Sequence, residues 1–301
     1  MNPTTKDATL FLGRSAELEA KLGKLLEKAN QFNTEQSKIL EIINRVNDFN
    51  SLKAELTESV IKVENLAKKL IHKTKNKQQL KKLPSANEKD LTKTIQILGY
   101  DIVSQEAENY LVSEFLELAN QVKNRDLKKL IKNSAWTALI AKGIAEMLDY
   151  PELSDAFFAG FNYNIATILI GLGDNRSYGE IKQMTNKGMD TISSTEAIFG
   201  FSPSEIAKRF LLNNKFNESV VDVVCYGHEH RNKEENKVLA HIVHYANAIV
   251  HSINEDKKSI AEIWGASRSH FDDLNLKANF NDWSREIKLI FFKLIKLENE
   301  V

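Results

Sequence analysis

The segment Ala156-Phe157-Phe158-Ala159-Gly160-Phe161-Asn162-Tyr163-Asn164-Ile165-Ala166 decides how this chain is interpreted. Its apolar residues predict a buried helix. Pro151 suits the first turn of that helix, which we expect to run to about Leu172. Glycine lowers helix stability by about 1 kcal/mol relative to alanine. Gly160 in the middle of this helix therefore predicts the close approach of a neighbouring helix.

Composition limits the classes of protein to which the chain can belong. Lys and Arg total 41 and so do Asp and Glu, so no net charge attracts nucleic acid or a membrane surface. The single cysteine, Cys225, excludes an intrachain disulfide, as is typical of a reducing compartment. No run reaches the ~18 apolar residues of a membrane helix. We therefore expect a cytoplasmic protein that does not associate with membranes.

Helical spacing of apolar residues recurs throughout the chain. Only 4 Pro and 12 Gly interrupt its 301 residues, and we find no convincing strand, so the predicted class is all-α. The expected organisation is an N-terminal helical subdomain, a helical core and a C-terminal helical cap, over residues 1–124, 125–255 and 256–301.

Local signals mark several helix ends. A turn is expected at residues 30–34, with Thr34 as the N-cap of the helix that follows. Gly99 is expected to end a short helix as its C-cap. Ser202 and Pro203 have the types preferred at the N-cap and at the first position of a helix.

Several segments, taken in order, resemble one family, the HD-related output domain (HDOD) proteins of bacterial signalling. The central segment is similar to the A-F-x-A-G-L-L-H-D-I-G helix of HD-type metal hydrolases. The other matching segments are Asp90–Gly99, Ile131-Lys132-Asn133-Ser134-Ala135, Phe199–Ala207, Val220–Glu229 and Leu239–Asn247. The resemblance spans roughly residues 35–255, and it implies a multi-helical HD-like core.

The departures from the family pattern all affect presumed metal ligands. Where an active HD enzyme would use His or Asp, this chain has Asn133, Tyr163, Asn164, Pro203, Gly227 and Asn247. Only His228 remains, and one histidine cannot organise a metal site that needs about three protein ligands. The resemblance therefore implies a degenerate pocket at Asn133, Tyr163, Asn164, Pro203, His228 and Asn247. We expect no catalytic residue, no bound metal and no cofactor.

A zinc site is an alternative that the spacing leaves open. Cys225 and His228 are followed by His241 and His244, and each pair is three residues apart, as on one face of a helix. Zinc fingers place their first ligand pair on a hairpin, which this sequence does not show. A buried Cys225 and partly exposed histidines are favoured instead.

A second alternative is a basic surface. Seven lysines and no acidic residue lie between Lys68 and Lys82. Such a cluster can attract an acidic partner or nucleic acid, but no aromatic residue interleaves it for base stacking. A solvated helix end and loop is the favoured interpretation, so nucleic acid is not the expected partner.

The combined prediction is a non-catalytic signalling or regulatory protein that acts through contacts with signalling partners. A small ligand is left open, as is a homodimer through the apolar stripe Ile287, Ile290, Phe291, Leu294 and Ile295, although core packing is the favoured use of that stripe. The alternative from another class is a divergent HD-type phosphohydrolase or nucleotide-binding protein that uses the same pocket.

Overall fold

The computed structural model describes residues 5–28, 30–47, 53–75, 88–226 and 233–254, with the single positions 285 and 289. These residues form α-helices and one short 3₁₀ turn, and they include no strand, which confirms the predicted all-α class. The helices are α1 Thr5–Lys28, α2 Asn30–Asn47, α3 Lys53–Ile61, α4 Glu64–Lys75, α5 Glu88–Leu98, α6 Tyr100–Gln121, α7 Arg125–Met147, α8 Leu153–Asn162, α9 Ile165–Gly173, α10 Asn175–Asn186, α11 Thr191–Phe199, α12 Pro203–Asn213, α13 Glu218–Tyr226 and α14 Lys237–Asn254.

The described helices fall into two compact units. One unit contains α2 to α6, and the other contains α1 together with α7 to α14. The grouping of α1 differs from the sequence-based expectation, which placed it in a subdomain covering residues 1–124. The C-terminal cap expected over residues 256–301 lies almost entirely outside the described residues, as does its apolar stripe.

The α2–α6 unit has a core of aliphatic side chains that includes Ile39, Ile43, Leu66 and Leu91. Polar contacts join α2 to α3: Arg45 is 2.6 Å from Glu55, and the Ser59 hydroxyl donates to Glu41 over 2.8 Å.

In the larger unit, α8 packs on α7, and α14 packs on both of them. Gly160 permits the contact of α8 with α7, because a Cβ at this position would lie 2.9 Å from the Thr137 carbonyl oxygen and 3.0 Å from Ala138 Cα. The close helix approach that the sequence predicts at Gly160 is thus present.

The helix expected from Pro151 to about Leu172 is two helices, so that prediction is wrong. α8 ends at Asn162, α9 begins at Ile165, and the two are bent by 43°. Asn162 Nδ2 donates to the Phe158 carbonyl over 2.9 Å, while the Tyr163 N–H bonds to Gly160 in a tighter three-residue turn. An asparagine side chain that binds the helix backbone is a known competitor of regular helical hydrogen bonding.

The predicted helix ends are partly right. Gly99 follows α5 with a φ of +85°, and Ser202 caps α12 in a reciprocal box with Glu205, with Pro203 at the first helical position. The turn expected at residues 30–34 is wrong, because α2 begins at Asn30 and already contains Thr34.

Among the described residues, no single helix is both long and apolar enough to span a membrane. The bent pair of α8 and α9 meets the length and composition criteria together, and most of its side chains are buried in the fold.

Candidate functional site

The turn between α8 and α9 places Tyr163 and Asn164 side by side at a helix break. Tyr163 is 5% exposed and serves as the C-cap of α8. Asn164 is the N-cap of α9, but its side chain makes no capping hydrogen bond. Its Nδ2 is buried and makes no hydrogen bond with the described residues. The helix break therefore leaves a polar group unsatisfied where the HD pattern has its metal-binding pair.

A cavity of about 510 Å³ opens beside this turn. Tyr163, Asn164 and Pro203 line it, so three of the six predicted pocket residues meet there. The other described residues that line it come from α7, α9, α10, α11, α12, α13 and the segment before α11: Asp126, Leu130, Ala166, Thr167, Tyr178, Ile181, Lys182, Thr185, Asp190, Thr191, Ile192, Ser204, Ala207 and Val224.

Two of the other predicted pocket residues, Asn133 and Asn247, do not line this cavity. Asn133 is on α7 and is 3% exposed. Asn247 is partly buried on α14, and its buried Oδ1 accepts no hydrogen bond from the part of the chain that the structure describes. His228 lies outside the described residues, as does Gly227.

Both tyrosines of the cavity are in the neutral form, and burial makes their ionisation still less favourable. It raises the pKa of Tyr163 to about 12. It also raises the pKa of Tyr178 to about 12, with a further contribution from the nearby Asp126 carboxylate. At neutral pH both side chains are therefore phenols, which are weak ligands for hard or borderline divalent metals.

The residues at the HD positions do not fit the divalent metal that HD-type hydrolysis requires. Asn133, Asn164 and Asn247 supply amides and Tyr163 supplies a neutral phenol, whereas such sites use imidazole and carboxylate ligands. Among the residues that the structure describes, no group of three or more His, Cys, Asp and Glu side chains is placed to hold a metal ion.

Several cavity residues were not identified from sequence. Asp126, the α10 pair Tyr178 and Lys182, and Asp190 come from three separate places in the chain and meet only through tertiary packing. Ser204 lies one position after the predicted Pro203, and its hydroxyl donates to the Cys225 carbonyl over 2.7 Å. Ser204 lies within the matching segment Phe199–Ala207, whereas no local motif in the sequence marks the other positions.

Acidic residues outside the cavity have structural partners. Asp155 on α8 accepts hydrogen bonds from Asn217 Nδ2 at 2.7 Å and from the Ser219 hydroxyl, both near the start of α13. Asp222 accepts one from Asn236 Nδ2 at 3.0 Å. Each carboxylate therefore links two segments of the same unit.

Cys225 has the character of a core residue. It is 1% exposed, and burial raises the pKa of its thiol to about 12. Metal binding needs the thiolate, which this environment disfavours. His241 is partly exposed and His244 is exposed, as the favoured interpretation of the sequence predicts, and His228 is not described.

Part of the basic cluster at residues 68–82 is paired with acidic groups of the same unit. Lys68 lies 2.5 Å from Glu64. Lys73 forms an ion pair with Glu106, whose side chain is 7% exposed, and Lys69 lies 3.9 Å from the same carboxylate. Residues 76–82 lie outside the described part of the chain.

The helical architecture and the turn at Tyr163 and Asn164 define an HD-like scaffold with altered ligand positions. Residues 85–230 match the model of the HDOD domain. The chain therefore carries an HDOD domain over those residues, which confirms the family predicted from its motifs.

Solved structures share this fold. One, named "Putative phosphohydrolase" and from Shewanella amazonensis SB2B, has a TM-score of 0.63 at 16% identity, over 92% of this chain and 97% of that chain. An HDOD domain protein of unknown function from Geobacter sulfurreducens has a TM-score of 0.58 at 15% identity, over 91% and 96% of the two chains.

A third structure, named "Putative signal transduction protein" and from Marinobacter aquaeolei VT8, has a TM-score of 0.55 at 13% identity. The similarity covers 87% of this chain and 57% of that chain. No curated protein matches the sequence significantly. At these identities the structural similarity establishes the fold alone.

Proposed function

We propose that this protein is a non-catalytic signalling or regulatory protein of the HDOD type that acts in the cytoplasm through contacts with other proteins. The observation that carries the proposal is the pair Tyr163 and Asn164, which replaces the His and Asp of the HD pattern. Without an imidazole and a carboxylate, no metal-bound hydroxide is generated to attack a phosphate ester. The HDOD domain match and the signal-transduction name of one structural neighbour agree with a regulatory role.

The alternative is a divergent phosphohydrolase or nucleotide-binding protein. Its support is the cavity of about 510 Å³ at the altered HD positions, together with the name of the phosphohydrolase neighbour. Among the described residues that line this cavity, Lys182 is the only lysine or arginine, and these residues therefore offer a phosphate one cationic partner.

A hydrolysis screen separates the two functions. The purified protein is incubated with cyclic dinucleotides, nucleoside monophosphates and an aryl phosphate, each with added Mn²⁺ or Mg²⁺. Chromatography follows opening of the cyclic dinucleotides and a phosphate assay follows the monoesters, and we expect both rates to equal those of the Asn164→Ala variant. Turnover by the wild-type protein that Asn164→Ala abolishes would establish the enzyme alternative. Crosslinking in the cells that express the protein, followed by mass spectrometry, tests for the expected protein contacts.

A further inference from the structure

The larger unit holds α1 on a surface to which α9 and α11 both contribute. α1 presents a row of leucines to it, Leu18, Leu22 and Leu25, at the spacing of one helix face. Leu22 is 1% exposed and Leu25 is 3% exposed. An amphipathic helix that lays its apolar face on a partner surface is a common mode of recognition between proteins.

Two glycines fit this surface to the leucines of α1. A Cβ on Gly173 would lie 2.5 Å from Leu25 Cδ1, and a Cβ on Gly200 would lie 2.6 Å from Leu18 Cδ1. Any other residue at either glycine would therefore displace the leucine that now lies against it. The surface is thus shaped to receive leucines at two defined positions of a docked helix.

Polar contacts fix the register of α1 on the same surface. Lys21 Nζ donates to the Ile198 carbonyl over 2.8 Å and lies 4.4 Å from the centre of the Phe199 ring. This carbonyl is in the last turn of α11, where carbonyl groups lack partners within the helix. Arg209 Nη2 is 2.6 Å from Glu19 Oε1, and Arg209 Nη1 pairs with the other carboxylate oxygen. Shape, hydrogen bonding and charge therefore all contribute to the recognition of α1.

A long intervening segment of chain connects α1 to the surface that it contacts. Residues 31–121 separate α1 from the rest of its unit, and they belong to the other unit. The contact of Lys21 with Ile198 spans 177 residues, and that of Glu19 with Arg209 spans 190. α1 therefore docks as a tethered ligand does, at an effective concentration of about 1 mM or less. The α1 of a second copy carries the same groups and competes for the surface as the protein concentration approaches that value.

We propose that two copies of this chain exchange α1, so that the α1 of each copy docks on the α9 and α11 surface of the other. The resulting dimer repeats, between chains, the leucine, lysine and glutamate contacts that α1 makes within one chain. Exchange of an identical element is a low-cost route to a dimer, because it needs no new interface. This association does not rest on the proposed function, since a hydrolase with the same α1 would exchange it equally.

The dependence of molar mass on concentration tests for the dimer. Small-angle X-ray scattering of the full chain gives the mean molar mass between about 0.02 and 1 mM. We expect monomers at the lowest concentration and at least about a third of the chains in dimers at the highest, where a second copy matches the effective concentration of the tethered helix. A mass that remains monomeric up to about 1 mM overturns the proposal.

Charge reversal at the ion pair of Glu19 and Arg209 separates helix exchange from any other dimer. The variants Glu19→Arg and Arg209→Glu each create a like-charge contact, within one chain and also in a dimer of identical chains. In a mixed dimer with exchanged helices, the native pair meets at one site and the two substituted residues meet at the other. Both contacts are then attractive, so only exchange favours the mixed dimer.

The two variants are mixed in equal amounts, one of them labelled with ¹⁵N, and the dimers are trapped with an amine crosslinker and weighed by mass spectrometry. Random association gives as many mixed as unmixed dimers. Both side chains are nearly half exposed, so solvent weakens the pair, and we expect mixed dimers in about three-fold excess. High salt is expected to reduce this excess, because it screens exposed charges.

The matched control is the double variant Glu19→Arg with Arg209→Glu, mixed with the wild-type chain. Each chain is then complementary to itself, whereas a mixed dimer with exchanged helices would contain two like-charge contacts. We expect about three-fold fewer mixed than unmixed dimers. Random association in either mixture would show that the dimer forms through another surface and would overturn the proposal.

Discussion

At the residue scale, the environment of Tyr163 determines its chemistry. A phenol at the surface ionises near pH 10, whereas burial raises the pKa of Tyr163 to about 12. The side chain is therefore neutral at any physiological pH, and the adjacent Asn164 is an amide that never ionises. Together they give the cavity two uncharged polar groups in place of an imidazole and a carboxylate.

Gly160→Ala is expected to destabilise the protein by about 1–3 kcal/mol. The added methyl group would lie too close to backbone atoms of α7, which can move away only if the helix itself shifts. The Thr137 carbonyl oxygen would lie 2.9 Å from it. The matched control is Gly179→Ala in α10, where nothing lies within 4 Å of the new Cβ. This control should be neutral or stabilising by up to about 1 kcal/mol. Urea denaturation measures both, and equal stability of the two variants would contradict the packing argument.

Cys225 is expected to react with a thiol reagent at pH 8 at least about a hundred-fold more slowly than an unfolded thiol, since only the thiolate reacts. Burial raises the pKa of its thiol to about 12, so the folded state retains the proton when an unfolded chain would release it. The free energy of unfolding should accordingly fall as pH rises above about 9. Ellman's reagent with and without urea measures the rate, and rapid labelling of the folded protein would show an accessible thiol.

Sequence alone identified the altered residues of the candidate site but not the cavity. Tyr163 and Asn164 stand out because the apolar frame around them matches the HD pattern. Tyr178 and Asp190 lie 15 and 27 positions after Tyr163, and only the packing of α10 and α11 brings them to it. Burial and pKa follow from that packing, so no local pattern predicts them.

At the element scale, most helices follow from apolar spacing and from their caps, whereas the break between α8 and α9 does not. The apolar residues continue on both sides of Tyr163 without a Gly or Pro between Phe161 and Ile170. At the break, the Asn162 side chain donates to the Phe158 carbonyl. Asparagine occurs within many unbroken helices, so its presence alone did not predict this one.

The first helix shows a similar dependence on tertiary contact. A Cβ on Gly173 would lie 2.5 Å from Leu25 Cδ1, and one on Gly200 would lie 2.6 Å from Leu18 Cδ1. Arg209 forms an ion pair with Glu19 through both of its terminal nitrogens. These contacts place α1 in the larger unit. Their partners lie far apart in the sequence, so the spacing of residues within one segment does not predict them.

Ser202→Ala is expected to cost about 1 kcal/mol of stability, because it removes the hydroxyl that accepts from the Glu205 N–H at the start of α12. Ser202→Gly is the matched control, since glycine at an N-cap costs only a few tenths of a kcal/mol. Chemical denaturation distinguishes them. Equal losses for the two variants would mean that the cap does not stabilise α12.

At the scale of the whole molecule, balanced charge and paired lysines both argue against a polyanion as partner. The formal net charge is zero. Lys69 and Lys73 pair with the nearly buried carboxylate of Glu106, and Lys68 pairs with Glu64. The basic cluster recognised in the sequence is thus partly neutralised within its own unit, a feature that a list of charges cannot reveal.

Binding to DNA and RNA oligonucleotides is expected to be weak at physiological salt and independent of sequence. Lysines attract the phosphate backbone, but a cluster without arginine or aromatic side chains has few groups that distinguish one base from another. Fluorescence anisotropy at two salt concentrations measures it. The informative variant is Lys75→Glu with Lys77→Glu. Tight, sequence-selective binding that this double variant abolishes would identify a nucleic-acid interface and contradict the expectation.

The central claim is that the altered HD positions hold no catalytic metal, and elemental analysis of the purified, dialysed protein tests it most directly. We expect less than about 0.1 equivalent of Mn, Fe or Zn per chain, because a stable site needs about three suitable ligands. One or two equivalents that are lost in the Asn164→Ala variant would contradict the claim. Zinc alone that is lost in Cys225→Ala and His228→Ala would instead establish the alternative zinc site.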